Sequence, residues 1–481
     1  AGNFIRFLES ITSNIPLISP ILAHFRQGVV REYTVLRLAG QRVGHPAMVE
    51  SQESMQESAA EANASATKEE VGSAVERNII LWLTNVSHGV NHFQNQMMVV
   101  LYPVIMPELG FGYAELGVLL AVQSMLGGAT QGFYGFATPF LPRTWLLGIG
   151  NLVLGFGTLA TGFVNSFGGI ISTRGVASVG ASAQHPVGYS LLAGYFPSAR
   201  GKIIGLNSSI SNVGSLLAPL TAGAMLVIMS WRQVFMIVAA LSIAMGLVYF
   251  LFRKRVDTAT SQGSTSKEKL MQSTSSYLRV FRNKNMIFVS LVMMVGGAGR
   301  GGGGMVAFMA VYFANDLGLS TFTVAVAITT LGLGGVIGPI GFGWLSDRLS
   351  RTGILQLSLG LSALATVWVA FQEAFLPLLL LSLVLYGTVT RSRMTLTQAV
   401  VADSLPDEDR DAAFSAFFFL GFASGPVWLL LVGSLMQTLG FSVAFSMLAV
   451  SYLVGMLLML FVTDPRNAST GKPKPATTSA E

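Results

Sequence analysis

GWLSDRLSR, at residues 343–351, is a short charged turn between two long apolar runs. Residues 321–342 before it and residues 353–371 after it contain no Asp, Glu, Lys or Arg. Because about 20 consecutive apolar residues can cross the hydrocarbon core of a bilayer as a helix, each run predicts a membrane span. A short basic turn between two spans is typical of the cytoplasmic face of a membrane protein.

This turn resembles the signature loop of the major facilitator superfamily. Gly343 is followed four residues later by Asp347 and Arg348, and then by Arg351, whereas Ser350 stands where the family usually has Gly. The resemblance implies an all-α polytopic membrane protein with 12 transmembrane helices in two pseudo-symmetric six-helix bundles. It also implies a gating role for the turn, in which the carboxylate holds a neighbouring helix end in one of two transporter states. A carboxylate beside a helix N-terminus gains about 0.3–1 kcal/mol, enough to bias a near-balanced equilibrium.

An internal repeat is visible when the sequence is shifted by 208 residues, the separation of Arg143 and Arg351. The shift also aligns Leu109-Gly110 with Leu317-Gly318, Gly127 with Gly335, and Gly135 with Gly343, without a gap. Pro139 and Phe140 stand in the first copy where the second has Asp and Arg, so the first copy of the gate is degenerate. Two parallel repeats around a central site are typical of many secondary transporters.

The composition is that of a polytopic membrane protein. Of the 481 residues, 52% are hydrophobic, 11% are charged and 53 are Gly. The chain has no Cys, which excludes disulfides and thiolate metal sites, and its five His show no metal-ligand spacing, so no cofactor or metal is predicted. No nucleophile–base pair is visible, which makes an enzyme the least favoured class. No aromatic-interleaved basic surface remains outside the spans, so no nucleic-acid partner is predicted.

The predicted organisation has six segments along the chain. They are an amphipathic extension at 1–43, an acidic flexible linker at 44–76, an N-terminal six-helix bundle at 77–252, a central cytoplasmic loop at 253–284, a C-terminal six-helix bundle at 285–462 and a disordered cytoplasmic tail at 463–481. Apolar residues at helical spacing, interleaved with Arg, predict that the extension lies on the membrane surface or docks on a membrane-protein partner.

Basic residues mark the orientation of the twelve predicted spans. Alternate loops hold almost all the Lys and Arg, and the remaining loops hold Arg232 alone. The positive-inside rule therefore predicts a multi-pass protein of the cell inner (plasma) membrane with both termini in the cytoplasm.

The fourth predicted span carries two motifs. RGVASVGA, led by Arg174, is similar to the Arg-led pattern of the fourth helix in the superfamily, and the following GASAQHP, residues 180–186, resembles an element of the fosmidomycin-resistance branch. That resemblance implies an inner-membrane drug exporter that exchanges substrate for protons. An Arg in hydrocarbon costs about 2.5–3.5 kcal/mol, so Arg174 is expected to face a cavity and contact substrate. A structural role, capping carbonyls or pairing with a loop acid, is the alternative.

The first span has a polar face formed by His88, Asn91, His92 and Asn95, which are spaced by three and four residues. We expect these residues to line a substrate-binding cavity, which Gln123 of the second span extends. A network of hydrogen bonds between helices is the alternative.

Three histidines, His88, His92 and His185, fall within predicted spans. Because the charge of His changes near neutral pH, these three side chains are candidates for substrate binding and proton coupling.

The seventh span contains seven Gly in the nine residues 296–304, so its helix is expected to be broken or flexible near the middle. Arg300, within this run, stands where His92 stands in the first repeat, and it is assigned to the substrate site.

The fifth span resembles an element associated with antiporters, with small residues at Gly214 and Gly223 around Pro219. The equivalent segment of the second repeat keeps Gly421 and Pro426 but lacks the later small residues. Both prolines are assigned to gating, because Pro removes a backbone hydrogen bond and leaves a bend. Close helix packing is the alternative role of the glycines.

The interiors of the spans hold Arg174, Arg300 and three His but no Asp or Glu, which favours an organic anion over a cation. Near the inner end of the tenth span, Arg391 and Arg393 either extend to the cytoplasm or form part of a cavity wall.

The sequence therefore predicts a secondary active transporter that moves a small anionic or zwitterionic organic molecule by alternating access, with proton-coupled efflux preferred. Uptake or exchange of an anionic metabolite is one alternative. A non-transporting subunit of a larger membrane complex, docked through residues 1–43, is the other.

Overall fold

A computed structural model describes residues 72–137, 141–196, 199–252, 278–297, 302–406 and 409–465. The helices of this part are α1 (Ala74–Leu109), α2 (Tyr113–Ala137), α3 (Arg143–Thr161), α4 (Phe167–Ala181), α5 (Gln184–Tyr195), α6 (Arg200–Ile228), α7 (Trp231–Phe252), α8 (Lys284–Val295), α9 (Gly302–Asn315), α10 (Thr321–Arg348), α11 (Arg351–Ala370), α12 (Leu376–Asp403), α13 (Arg410–Leu439) and α14 (Phe441–Leu458), followed by a 3-10 turn, Met459–Phe461. Within these ranges no strand occurs.

These helices coincide with the predicted apolar runs. The fourth run contains two helices, α4 and α5, and the seventh contains α8 and α9. Seven helices of the described residues are long and apolar enough to cross a membrane on their own. Several predictions lie outside the described residues: the extension at 1–43, most of the 44–76 linker, and most of the central loop and tail. So do Pro139, Phe140 and Arg300. The predicted domain boundaries stay predictions.

Helix ends are set by short-range chemistry. Ser73 caps α1 in a capping box, in which its hydroxyl accepts from the Glu76 backbone and the Glu76 carboxylate accepts from the Ser73 backbone. Gly110, with φ of 69°, ends the same helix in the left-handed conformation. Ser350 caps α11, because its Oγ accepts from the Gly353 backbone at 3.0 Å. Since Ser is among the best N-cap residues, this bond gives a local reason for Ser where the superfamily usually has Gly.

The charged turn at residues 343–351 is shorter in the structure than predicted. Helix α10 continues through Arg348, so only Leu349 and Ser350 separate it from α11. Placing Arg348 in the last turn of the helix is favourable, because a cation there interacts well with the helix dipole.

Small residues let the helices approach closely. A Cβ atom added to Gly214 of α6 would lie 2.3 Å from the carbonyl oxygen of Gly89 in α1. In the second half, a Cβ atom at Gly387 of α12 would lie 2.1 Å from the carbonyl oxygen of Leu331 in α10. Glycine is therefore required at both crossings for steric reasons, which is the packing role that was left open for Gly214.

The two halves meet at the end of the bundle that carries the α1–α2 turn. The backbone N–H of Tyr113 donates to Oε1 of Gln437 at 2.9 Å, and the Tyr113 hydroxyl donates to Asp316. Nearby, a Cβ atom at Gly117 would lie 2.7 Å from the carbonyl oxygen of Leu429. These contacts join α2 to α9 and α13, and they close this end of the interface between the halves.

Candidate functional site

The polar face of α1 is graded from buried to exposed along the helix. His88 and Asn91 are buried, His92 is half-buried and Asn95 is exposed. Nδ2 of Asn95 donates to Oδ1 of Asn91 at 3.0 Å, and Nδ2 of Asn91 donates to the carbonyl oxygen of Ala181 at 3.0 Å. The buried end of the face therefore makes hydrogen bonds between helices, whereas the end at Asn95 is exposed. The hydrogen bonds at the buried end agree with the interhelical network, and the lining of a substrate cavity stays a prediction.

An interruption between α4 and α5 brings a third histidine to this face. Helix α4 ends at Ala181 and α5 begins at Gln184, so His185 lies in the first turn of α5. Pro186 has no N–H to donate to the preceding turn, which explains why a continuous helix is interrupted here. The Asn91 amide compensates by binding one carbonyl freed at the interruption.

The rings of His88, His92 and His185 form a compact cluster. The His88 centroid lies 4.7 Å from that of His92 and 4.9 Å from that of His185, and the other two centroids are 5.5 Å apart. All three pairs are edge-to-face. The sequence assigned these residues to one site, and the structure brings them together. Their role in substrate binding or proton coupling stays a prediction.

Two side chains of α6 form hydrogen bonds with the ring nitrogens of the α1 histidines. Nδ1 of His88 lies 2.6 Å from Oδ1 of Asn207, and Nδ1 of His92 lies 3.2 Å from Oγ of Ser215. The Asn207 amide nitrogen donates to Oδ1 of Asn85 at 2.7 Å, which orients the Asn207 oxygen toward His88. His88 must then donate from Nδ1, so its Nε2 carries the lone pair.

The hydrogen bonds of Gln123 and Arg174 are made to residues outside the histidine cluster. Nε2 of Gln123 donates to the Tyr102 hydroxyl at 3.2 Å. Arg174 is only 1% exposed, and its guanidinium donates to the Thr158 hydroxyl at 3.2 Å and lies 6.0 Å from the Phe235 ring. Arg174 thus packs inside the N-terminal half instead of facing open space. The substrate contact predicted for it requires a conformation that exposes this side chain.

The seventh predicted span is interrupted, as the glycine run predicted. Helix α8 ends at Val295, Gly297 has φ of 69°, and α9 begins at Gly302. Neighbouring side chains bind the freed backbone groups. The Trp428 indole donates to the carbonyl oxygen of Met294 at 2.8 Å, and Ser451 accepts from the Gly297 backbone at 3.0 Å. A broken helix at membrane depth is stable only with such partners.

The two arginines of α12 differ in environment. Arg393 is buried, with one guanidinium nitrogen 3.6 Å from the Met293 sulfur. Arg391 is exposed, and its aliphatic stem lies along α10, where a Cβ atom added to Gly335 would lie 3.0 Å from Cγ of Arg391. The structure therefore distinguishes two residues that the sequence treated alike, and it leaves Arg391 accessible.

The predicted gating residues at the α10–α11 turn form an ion-pair network. Arg351 pairs with Asp347 four residues earlier, and its Nε donates to Asp403 at the end of α12 at 2.9 Å. Its NH1 atom donates to the Ser346 hydroxyl at 3.0 Å. Arg348 does not join these contacts but lies over the Trp344 ring, 4.0 Å from its centroid. Asp403 was not foreseen, because its position opposite Arg351 depends on how α12 packs.

The two gating prolines lie inside long helices. Pro219 is within α6 and Pro426 within α13. Neither helix is interrupted, so a hinge at either position stays a prediction.

The chain belongs to the Major Facilitator Superfamily, whose pattern it matches over residues 84–350 and 299–480. It is therefore a multi-pass membrane transporter of small molecules and not an enzyme. The prediction of an all-α polytopic fold is confirmed.

Sequence relatives include transporters of sugar acids. The chain is 27% identical over 210 residues to a protein of Escherichia coli K12 described as "Probable L-galactonate transporter", a match that covers 41% of this chain and 46% of that protein. It is 22% identical over 395 residues to the hexuronate transporter of the same organism, covering 76% of this chain and 89% of that one. The fosmidomycin resistance protein of E. coli K12 also matches, at 25% identity over 147 residues, or 30% of this chain and 35% of that protein.

A solved structure shows the same fold. The bacterial homologue of the human lysosomal transporter Spinster, in an inward-facing and unoccupied conformation, superposes with a TM-score of 0.66 at 16% identity, covering 84% of this chain and all of that one.

Proposed function

We propose that this protein takes up a small organic anion of the sugar-acid class across the bacterial inner membrane, together with protons, by alternating access. The observation that carries the proposal is the charge of the spans. In the described helices Asp and Glu occur only at or near helix ends, whereas Arg174, Arg391 and Arg393 lie well inside. Cations without internal carboxylates favour a negatively charged substrate. The relatives described as a probable L-galactonate transporter and a hexuronate transporter support this class of substrate.

Arg391 is the residue that we assign to binding the anionic group. It is exposed, its stem is fixed against α10, and a guanidinium presents parallel N–H donors that match a carboxylate. Exposed Asn95 would offer hydrogen bonds to the substrate hydroxyls from the other half.

The reason to expect proton coupling is the electrical work of moving an anion into the cell. Moving one negative charge into a cell against an inside-negative potential costs about 2.3 kcal/mol per 100 mV. A proton carried with a monovalent anion cancels this charge, and a second proton would let the potential drive uptake.

The arrangement of basic loops supports an orientation with both termini in the cytoplasm. The α1–α2 end would then face outward. Since Tyr113 joins the two halves at that end, the conformation is closed to the outside, as expected of a state that faces the cytoplasm.

A second candidate, proton-coupled efflux, is favoured by one observation. Residues 180–186 resemble the drug-exporter element, and the fosmidomycin resistance protein matches part of the chain. In this candidate the same pocket would export an anionic drug in exchange for protons.

Uptake by proteoliposomes separates the candidates. Radiolabelled galactonate and glucuronate are offered with the acidic side either outside or inside the vesicles. Acceleration by external acid supports symport, whereas acceleration only by an acidic lumen supports antiport and the efflux candidate. Binding of a cationic dye that sugar acids do not displace, and that survives Arg391→Gln, would overturn the anion assignment.

A further inference from the structure

We propose that His88, His92 and His185 form a binding site for one divalent transition-metal ion of the Zn²⁺ class. The inference is independent of the transported substrate. It starts from a distance, because one ring nitrogen of each histidine can be chosen so that all three lie within 4.8 Å of one another.

This spacing is wider than that of a filled site. With Zn–N bonds of about 2.0–2.1 Å, two nitrogen ligands of a tetrahedral ion are about 3.4 Å apart. For one ion to bind all three rings, the rings would have to turn so that the nitrogen atoms approach one another by up to about 1.4 Å. His88 and His92 are one helical turn apart on α1, and His185 is held opposite them by the start of α5.

Outer hydrogen bonds orient two of the three rings as metal ligands. Nδ1 of His88 donates to Asn207, and Nδ1 of His92 is paired with Ser215 on the same helix, α6. A metal-binding histidine almost always donates its second ring N–H to a polar group, which fixes the tautomer and leaves the other nitrogen for the metal. Nε2 of His88 is buried and has no hydrogen-bond partner among the described residues, as expected of a ligand atom that is built to receive an ion.

The donor set selects the kind of ion. Three imidazoles without a carboxylate or thiolate in the group suit Zn²⁺, Ni²⁺ or Cu²⁺, whereas Mg²⁺ and Ca²⁺ require oxygen ligands. His92 and His185 are half-buried, so an ion can reach the cluster from solvent. Three protein ligands leave a fourth position open for water or an anion.

The site would brace the N-terminal half without linking it to the other half. All three ligands lie on α1 and α5, and their outer partners lie on α6. Metal binding is therefore expected to stabilise this bundle against heat, and it does not require a particular state of the transport cycle.

Direct titration of the full-length chain tests the proposal. The protein is purified in detergent through an affinity tag that contains no histidine, and Zn²⁺ binding is measured by calorimetry. Co²⁺ serves as an optical probe, because its visible absorption reports nitrogen coordination in tetrahedral geometry. We expect one ion per chain, with at least a tenfold loss of affinity in His92→Gln and in His185→Gln. Asn207→Ala should weaken binding by about 10–100-fold, as other losses of an outer hydrogen bond do.

The chain supplies its own matched control. Its remaining histidines are His24, in the N-terminal extension, and His45, in the following linker, and the double variant His24→Gln/His45→Gln should bind Zn²⁺ as the parent protein does. Circular dichroism verifies that each variant is folded. Unchanged affinity in folded His92→Gln and His185→Gln, loss of binding in the control, or no Zn²⁺ binding by the parent protein would each overturn the proposal. Because no substrate is present, a failure of the transport assignment leaves this result unaffected.

Discussion

Nε of Arg351 lies 2.9 Å from Oδ2 of Asp403, which ties the α10–α11 turn to the end of α12. The repeat-related residue Arg143 also binds a side chain of its own half, because its Nε donates to the Ser190 hydroxyl in the middle of α5 at 2.9 Å. The two arginines are 208 residues apart and therefore equivalent in the repeat, whereas their partners, Asp403 and Ser190, are 213 residues apart and are not. The partner is charged in one half and neutral in the other, and a charge-assisted hydrogen bond is roughly twice as strong as a neutral one.

This difference predicts unequal effects of breaking the two contacts. Asp403→Asn should lower the transport rate several-fold and the free energy of unfolding by about 1 kcal/mol, because the pair is partly exposed. Ser190→Ala should change both quantities less. Uptake by proteoliposomes and thermal unfolding of the two variants compare them directly. Equal losses would show that the charge on Asp403 is not what matters.

The contacts of Tyr113 predict how strongly the two halves are held together at the end that carries the α1–α2 turn. Tyr113→Phe removes the hydroxyl contact with Asp316 but keeps the backbone bond to Gln437. A hydrogen bond to a charged group contributes about 1.5–3 kcal/mol, so the open population should rise about tenfold or more. The chain has no Cys, and Leu120→Cys, beside Gly304 of α9, therefore provides a single label site at the interface. We expect faster labelling by a membrane-impermeant maleimide in the Tyr113→Phe background.

Glu115→Gln is the matched control for this experiment. The Glu115 carboxylate accepts from the Gly112 backbone within the same turn and does not join the two halves through that bond. Its replacement should leave labelling of the introduced cysteine unchanged. Identical labelling rates in the Tyr113→Phe and parent backgrounds would contradict the assigned role of the hydroxyl.

The break between α8 and α9 predicts a cost for losing the indole of Trp428. Trp428→Phe keeps most of the apolar contact but leaves the Met294 carbonyl without this donor, at a cost of about 1–3 kcal/mol. The melting temperature measured by circular dichroism should fall. Trp82→Phe, at a tryptophan that is 56% exposed, should leave it nearly unchanged. If both variants have the same melting temperature as the parent protein, the break is stabilised by other groups.

Several parts of the fold and site could be predicted from sequence because they depend on local spacing. The uncharged runs predicted the helices, and the glycine run at 296–304 predicted the break between α8 and α9. The three-and-four spacing of His88, Asn91, His92 and Asn95 predicted that they share one polar face. The interruption at Pro186 was missed, although a proline within a helical run is a readable signal.

The remaining features depend on packing between helices, which no local pattern encodes. Asn207 and Ser215 lie more than 100 residues from the histidines that they contact. The burial of Arg174 and the exposure of Arg391 are likewise set by neighbouring helices. The absence of metal-ligand spacing was inferred from the linear sequence, yet folding brings His185 to the His88–His92 pair.

The exposure of Arg391 predicts a specific kinetic effect on the proposed uptake. Arg391→Gln removes the accessible cation of α12, and losing a hydrogen bond to a charged group costs about 1.5–3 kcal/mol, which corresponds to a rise of about 10–100-fold in KM for a sugar acid. Arg393→Gln, two residues along the same helix, changes a buried side chain beside Met293 and should lower thermal stability with a smaller effect on KM. Initial rates across a range of galactonate concentrations in proteoliposomes measure both variants. A normal KM in folded Arg391→Gln would remove this residue from the anion site, whereas a raised KM in that variant alone would place the anionic group of the substrate beside Arg391.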